Sequence, residues 1–327
     1  MIQVFKRKDI SPVFFLVFIY LGVRLFAFTH VTPPNLLDNF ELGLVFKWSW
    51  LRNLHVNWPI LSNIIYFIVH VSFSFYLNYV INRERFFAKK SFLPALAYLL
   101  LSSWFPTTGV LSLAFVSNVC LFIAFSLVLQ LYNLSKARGT CFSIGLWVGL
   151  ACLAYFPAVL FVLLFVMLIF LLRPFVIQEI LAYFIGLICV IYFAGAWFFL
   201  TGNLTKSLNQ VYFHFALPLN LQSPMATLIS SVVSISLFLY GAFLINQTGE
   251  QNSMAVRKKW NALFFYSLFA LFVGLFSPIF PSYTWIVTIT PFSILLSQAF
   301  QHKQEKFNNF TFFIFIIILL FTQWIFI

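Results

Sequence analysis

The run Ile180-Leu181-Ala182-Tyr183-Phe184-Ile185-Gly186-Leu187-Ile188-Cys189-Val190-Ile191-Tyr192-Phe193-Ala194-Gly195-Ala196-Trp197-Phe198-Phe199-Leu200-Thr201 holds 22 residues without one charge. A helix of that length spans about 30 Å of hydrocarbon. Hydrocarbon satisfies no backbone hydrogen bond, so a spanning segment is either a helix or a strand of a closed barrel. A barrel strand alternates apolar and polar residues over about ten positions. This run does not alternate, and it reads as a membrane helix. Apolar runs of the same kind lie near 12 to 29, 59 to 81, 92 to 104, 110 to 133, 142 to 155, 157 to 172, 180 to 201, 223 to 246, 262 to 277, 281 to 299 and 310 to 327. The expected fold class is all-α: a polytopic transmembrane helical bundle of about 11 spans. The third, fifth and sixth runs are short. The pairs broken at Phe105-Pro106-Thr107-Thr108-Gly109 and at Phe156-Pro157 therefore read as two spans each, with re-entrant bends as the alternative. No internal repeat appears, and residues 1 to 327 read as a single integral membrane domain.

Composition points the same way. Of 327 residues, 62% are hydrophobic, 47 are Phe and only 8% are charged, too little polar surface for a soluble domain. The formal charge of +12 would suggest a nucleic-acid partner in a soluble protein. Here the cations fall in short segments between apolar runs, where they report orientation instead. With the N-terminus inside, the inner segments hold Lys6, Arg7, Lys8, Arg83, Arg85, Lys89, Lys90, Lys136, Arg138, Arg173, Arg257, Lys258, Lys259, Lys303 and Lys306. The outer segments hold Lys47, Arg52 and Lys206, and Arg24 alone sits within a span. This positive-inside bias, with an odd span count, places the C-terminus outside. Lys6-Arg7-Lys8 leads into the first run without a small-residue cleavage site, so that run reads as a retained helix. Cys120, Cys141, Cys152 and Cys189 show no CxxC spacing and read as small buried hydrophobes.

The same orientation sorts the seven acids. Asp9, Glu84, Glu179, Glu250 and Glu305 fall among inner cations; Glu84 sits between Arg83 and Arg85, and Glu179 suits the positive start of a helix after Arg173-Pro174. Only Asp38 and Glu41 fall outside. Their loop, 30 to 58, also carries His30, Lys47, Arg52, His55 and three Trp residues. Apolar spacing through Phe40, Leu44, Trp48 and Leu51 predicts an amphipathic helix at the interface. Asp38 has the chemistry of a general base toward an acceptor hydroxyl. Glu41, three residues on, shares its helical face; the alternative is a capping box in which Asp38 caps the helix and Glu41 fills its first turn. Arg24, Lys47, Arg52, Lys206 and His214, the last two in the second outer loop (202 to 222), are candidate ligands for a lipid phosphate. Ordinary headgroup contact is the alternative for Lys47 and Arg52, and snorkelling for Arg24. His70 lies mid-span, where an inter-helical hydrogen bond competes with a proton relay. His30, His55, His214 and Asp38 match no metal-ligand spacing. No nucleotide loop, nucleophile elbow or other cofactor motif is present.

Two resemblances follow from particular residues. Ser91-Phe92-Leu93-Pro94-Ala95-Leu96, Leu101-Ser102-Ser103-Trp104-Phe105-Pro106, Gly145-Leu146-Trp147-Val148-Gly149-Leu150-Ala151 and Arg173-Pro174-Phe175 with Glu179 resemble an uncharacterised family of polytopic membrane proteins of Bacteroidota. That implies a multi-pass protein of the bacterial inner membrane. Residues 12 to 175 are similar to the membrane core of GT-C glycosyltransferases: a first span, an outer loop with an acid as in Asp38-Asn39-Phe40-Glu41-Leu42, short hairpin spans, then Gly149-Leu150-Ala151 before Phe156-Pro157. By that resemblance the substrate is a sugar carried on polyprenyl phosphate at the periplasmic side, with Asp38 as the base. The chain departs from the pattern in that Asn39 follows Asp38 where an acidic pair is common, and no acid occupies Phe105 to Gly109. Two other classes remain: a nonenzymatic membrane component of envelope assembly, secretion or motility, with membrane-protein partners, and a lipid flippase or transporter built around His70, Ser117 and Asn118. Membrane lipids are partners in every case.

Overall fold

The computed structural model describes residues 5, 11–29, 53–54, 56–87, 89–103, 112–134, 136–202, 232, 235–236, 238–243, 253–276 and 285–301. Among them every regular element is helical and there is no strand, as the unbroken apolar runs require. Nine α-helices of ten residues or more are described: α1 (Ser11–Thr29), α2 (Pro59–Arg83), α3 (Leu93–Ser102), α4 (Leu113–Gln130), α5 (Arg138–Ala154), α6 (Leu160–Leu172), α7 (Ile177–Leu200), α8 (Met254–Phe276) and α9 (Ile286–Phe300). Of these, α2, α4 and α7 are long and apolar enough to cross a membrane. The spans expected at 223 to 246 and 310 to 327, the interfacial helix, the second outer loop and the Phe105 to Gly109 turn fall wholly or largely outside the described residues.

Local signals set the helix boundaries. Pro59 opens α2 and Pro94 sits in the first turn of α3, where a missing N–H costs nothing. The Ser112 side chain accepts from the Phe115 N–H at 3.3 Å and caps α4. α2 stops at Arg85, which takes a left-handed φ of 55°. The Phe86 N–H then bonds the Ile81 carbonyl at 3.3 Å, the reach of a Schellman stop. Between α5 and α6, Tyr155 is extended and Phe156–Val159 form a 3-10 turn. The chain reverses there, because Arg173 at the end of α6 returns to the Leu134 carbonyl beyond α4, at 2.8 Å.

The core lies around two short helices. Every residue of α3 and of α9 is buried, and the two pack on each other, with α2 and α1 against α3 and with α4 and α8 against α9. α5 joins α4 to α7, while α7 touches chiefly α5. Its outward face carries Ile188, Phe193 and Trp197, each about three-fifths exposed. Phe14 and Phe18 of α1 are exposed likewise. Contiguous apolar surface on this scale has lipid or protein as its solvent.

One end of the bundle gathers the charge. Of the described Lys and Arg residues, all but Arg24 lie in turns and helix ends at that end. Lys259 of α8 reaches Glu84 Oε2 at 2.8 Å and the Glu84 carbonyl at 3.1 Å, and Arg83 reaches Glu84 Oε1 at 3.1 Å. Arg173 pairs with Glu179 at 3.3 Å in the first turn of α7. Asn82 clasps the Ser91 backbone through both amide atoms, and Gln301 donates to Ser91 Oγ at 3.0 Å. The structural roles expected for Glu84 and Glu179 hold, with Lys259 as an added partner.

Candidate functional site

Three helices each contribute a pair of residues four apart, hence on one face: Tyr20 and Arg24 from α1, Tyr66 and His70 from α2, Tyr98 and Ser102 from α3. α1 and α3 run away from the basic end and α2 runs toward it, so the six residues form two tiers about 6 Å apart. Arg24, Tyr66 and Ser102 make the upper tier; Tyr20, His70 and Tyr98 lie one turn closer to the basic end. Counting about 1.5 Å per residue, Arg24 and Tyr66 stand roughly 20 to 25 Å from the basic ends of their helices, at a depth that leaves Arg24 4% exposed.

In the upper tier Arg24 Nη2 donates to Tyr66 Oη at 2.9 Å and to the Ser102 carbonyl at 3.1 Å. The guanidinium also lies over the Tyr66 ring, 4.4 Å from its centroid, and 5.9 Å from that of Tyr20. Ser102 is the last residue of α3, where helical carbonyls lack partners and the dipole is negative. Arg24 therefore caps a ten-residue helix that ends within the bundle. The hydroxyls of Ser102 and Ser103 both donate to the Leu99 carbonyl at 2.9 Å, closing the same turn. Arg24 thus reaches across to α2 and to the end of α3.

In the lower tier Tyr98 Oη meets His70 Nδ1 at 3.0 Å. The imidazole is stacked on Tyr66, with centroids 4.0 Å apart, and flanked by Phe115 at 4.4 Å. His70 Nε2 has no hydrogen-bond partner, and neither has Tyr20 Oη, although both residues are buried. The inter-helical bond expected for His70 is present and leaves half of the ring unmatched.

A second buried polar contact joins α4 to α9, where Thr290 Oγ1 donates to Asn118 Oδ1 at 2.9 Å. Ser117 Oγ donates to the Ala151 carbonyl at 3.0 Å. Pro291 follows Thr290 inside α9, removing the N–H that the Val287 carbonyl would otherwise accept. These groups tie helices together, and no acid joins them among the described residues. Of the four cysteines, Cys120 and Cys141 are buried, Cys152 and Cys189 are half-buried, and all are free thiols.

Of the candidate residues named from the sequence, Arg24 is placed in this site. Asp38, Glu41, Lys47, Arg52, Lys206 and His214 lie outside the described residues. Sequence reasoning missed Tyr20, Tyr66, Tyr98 and Ser102, whose signal was the i, i+4 spacing to Arg24, to His70 and to each other. Among the described residues no group of three or more His, Cys, Asp or Glu could hold a metal ion. Comparison with known proteins finds no match for the chain among family models, curated proteins or solved structures.

Proposed function

We propose that the chain is a multi-pass protein of the bacterial inner membrane, with eleven spans and its N-terminus inside, and that it acts as a GT-C-like transferase using a polyprenyl-phosphate-linked sugar on the periplasmic side. The observation that carries this reading is the buried guanidinium of Arg24, remote from the basic end of the bundle and five residues before α1 ends at Thr29. In this reading the Arg24 guanidinium is a ligand for the phosphate of the lipid carrier as the leaving group departs. In this scheme Asp38, on the loop that follows α1, takes the proton of the acceptor hydroxyl as the sugar carbon is attacked and its bond to the phosphate oxygen breaks. Glu41 is the second, lesser candidate of the acidic pair, and Lys47, Arg52, Lys206 and His214 are the further candidate ligands for the lipid phosphate.

The test is transfer from a labelled polyprenyl-phosphate sugar pool, in membranes of a strain lacking the chain and restored with variants of equal abundance. Asp38→Asn is expected to abolish transfer, and Glu41→Gln to keep most of it. Full transfer with Asp38→Asn sinks the transferase reading.

One observation favours a second reading, a nonenzymatic membrane component: α7 is anchored chiefly by α5 and presents a broad apolar face. A membrane partner seated there would be captured by cross-linking from Ile188→Cys or Phe193→Cys, whereas a lipid-facing helix yields no protein adduct.

A further inference from the structure

At the basic end of the bundle every described acid is turned inward. Glu84 is buried against Lys259 at 2.8 Å, and Glu179 is buried against Arg173 at 3.3 Å. Among the described residues, the charge left at the surface of that end is therefore positive: Arg85, Lys89, Lys90, Lys136, Arg138 and Lys258 are all exposed. Contacts beneath the surface join the helix ends that carry these cations. Lys259 ties the start of α8 to the end of α2. Lys258, beside it, stands over the Tyr132 ring just past the end of α4, 5.6 Å from the centroid. Arg173, after α6, donates to the Leu134 carbonyl at 2.8 Å. The surface between the cations is apolar. Tyr79 is exposed one turn before Arg83, whose guanidinium lies 5.7 Å from its ring centroid, and Met254 is exposed one turn before Lys258. Tyr132, Leu134 and Phe175 are exposed as well. Water solvates the cations but not these side chains, and an acidic protein surface offers carboxylates with little apolar area. An anionic phospholipid supplies both, a phosphate for the cations and acyl chains for the apolar groups beside them.

We propose that this end of the bundle is a docking surface for the headgroups of anionic phospholipids. Lys258, held on the Tyr132 ring, and Lys136, four residues after that tyrosine, are among the phosphate ligands. The proposal rests on the reading of the chain as a multi-pass membrane protein with its basic end in the cytoplasm. It is independent of the transferase scheme.

The full chain is purified in an uncharged detergent and titrated with phosphatidylglycerol or, in a parallel series, with phosphatidylcholine, and bound lipid is read by native mass spectrometry. The wild type is expected to bind phosphatidylglycerol more tightly. A cation at an anionic surface is worth about fivefold in affinity, so Lys258→Gln should weaken phosphatidylglycerol binding about fivefold, and Lys136→Gln with Lys258→Gln about twentyfold. Both side chains are exposed, so the melting temperature without lipid and the binding of phosphatidylcholine should stay as in the wild type. Lys136→Arg with Lys258→Arg, which keeps both charges, should bind as the wild type does. Equal affinity of the wild type for the two lipids overturns the proposal and leaves the surface to an acidic protein. Phosphatidylglycerol binding by the glutamine pair as tight as in the wild type, or binding by the arginine pair as weak as by the glutamine pair, overturns it too. In detergent the readout depends neither on which side of a membrane the basic end faces nor on sugar transfer. Failure of the lipid site is thus a separate result from failure of the orientation or of the transferase reading.

Discussion

Arg24 shows why two basic residues are not interchangeable in an apolar bundle. Its Nη2 reaches a phenol oxygen and a helix-end carbonyl while its planar fork lies over the Tyr66 ring, 4.4 Å from the centroid, a stacked placement that a compact ammonium does not reproduce. Arg24→Met leaves both oxygens without their donor, and unfolding of the purified protein should show a loss of about 2 to 4 kcal/mol. Arg24→Lys should recover less than half of that. A lysine variant as stable as wild type would show that charge, not the fork, is what the site needs. Arg85 is a case of backbone strain: a left-handed φ of 55° costs a non-glycine residue about 1 kcal/mol, so Arg85→Gly should raise stability by a similar amount, read as a higher melting temperature. The Glu84–Lys259 pair is buried on both sides. Lys259→Met removes the buried partner of Glu84 and leaves it only the more exposed Arg83, which should cost about 3 kcal/mol, whereas Lys259→Met with Glu84→Leu should recover most of it.

At the scale of elements, α5 and α7 meet through glycine. A Cβ on Gly145 would collide with the Tyr183 carbonyl and one on Gly186 with the Phe142 carbonyl, so the two backbones touch. Gly145 and Gly149 are four apart on α5, the small-xxx-small spacing by which membrane helices associate closely. The Cβ built at Gly149 stands 3.0 Å from Val190 Cβ, a little under the roughly 3.8 Å usual in a disulfide. In a background without the four native cysteines, Gly149→Cys with Val190→Cys should oxidise to a cross-link after a small shift of the helices. Adding Gly186→Leu should abolish it; an undiminished cross-link would mean that α7 does not depend on this contact. The sequence showed these glycines without showing which helix they meet, because helix pairing depends on faces that apolar runs do not distinguish. It was more legible for element type and boundaries: Pro59, Pro94, Ser112 and Phe156-Pro157 mark turns that physical chemistry allows in few other places. The two-tiered site was legible only in part. A charge inside a span announced Arg24, but its partners are tyrosines and a backbone carbonyl, which look like ordinary constituents of an aromatic-rich chain.

For the whole molecule, the separation of charge along the bundle matters more than its total. Ion pairs and clasps gather Glu84, Lys259, Arg173, Glu179, Ser91 and Gln301 at one end, while the single described cation away from it is sealed among aromatic rings. A bilayer reads that asymmetry as orientation, since cations resist translocation. The ten residues of α3 reach only about 15 Å, less than half of what a tilted span covers, so α3 enters from the basic end and stops short. The expected arrangement is a basic end in the cytoplasm with the loop 30 to 58 in the periplasm. Single cysteines at Lys89 and at Asn39, in a background without the native four, make this measurable in intact cells with a membrane-impermeant maleimide. Asn39→Cys should label before lysis, and Lys89→Cys only after it. The reverse order would invert the protein, placing Asp38 in the cytoplasm, away from any periplasmic sugar carrier, and the transferase reading would fall with it.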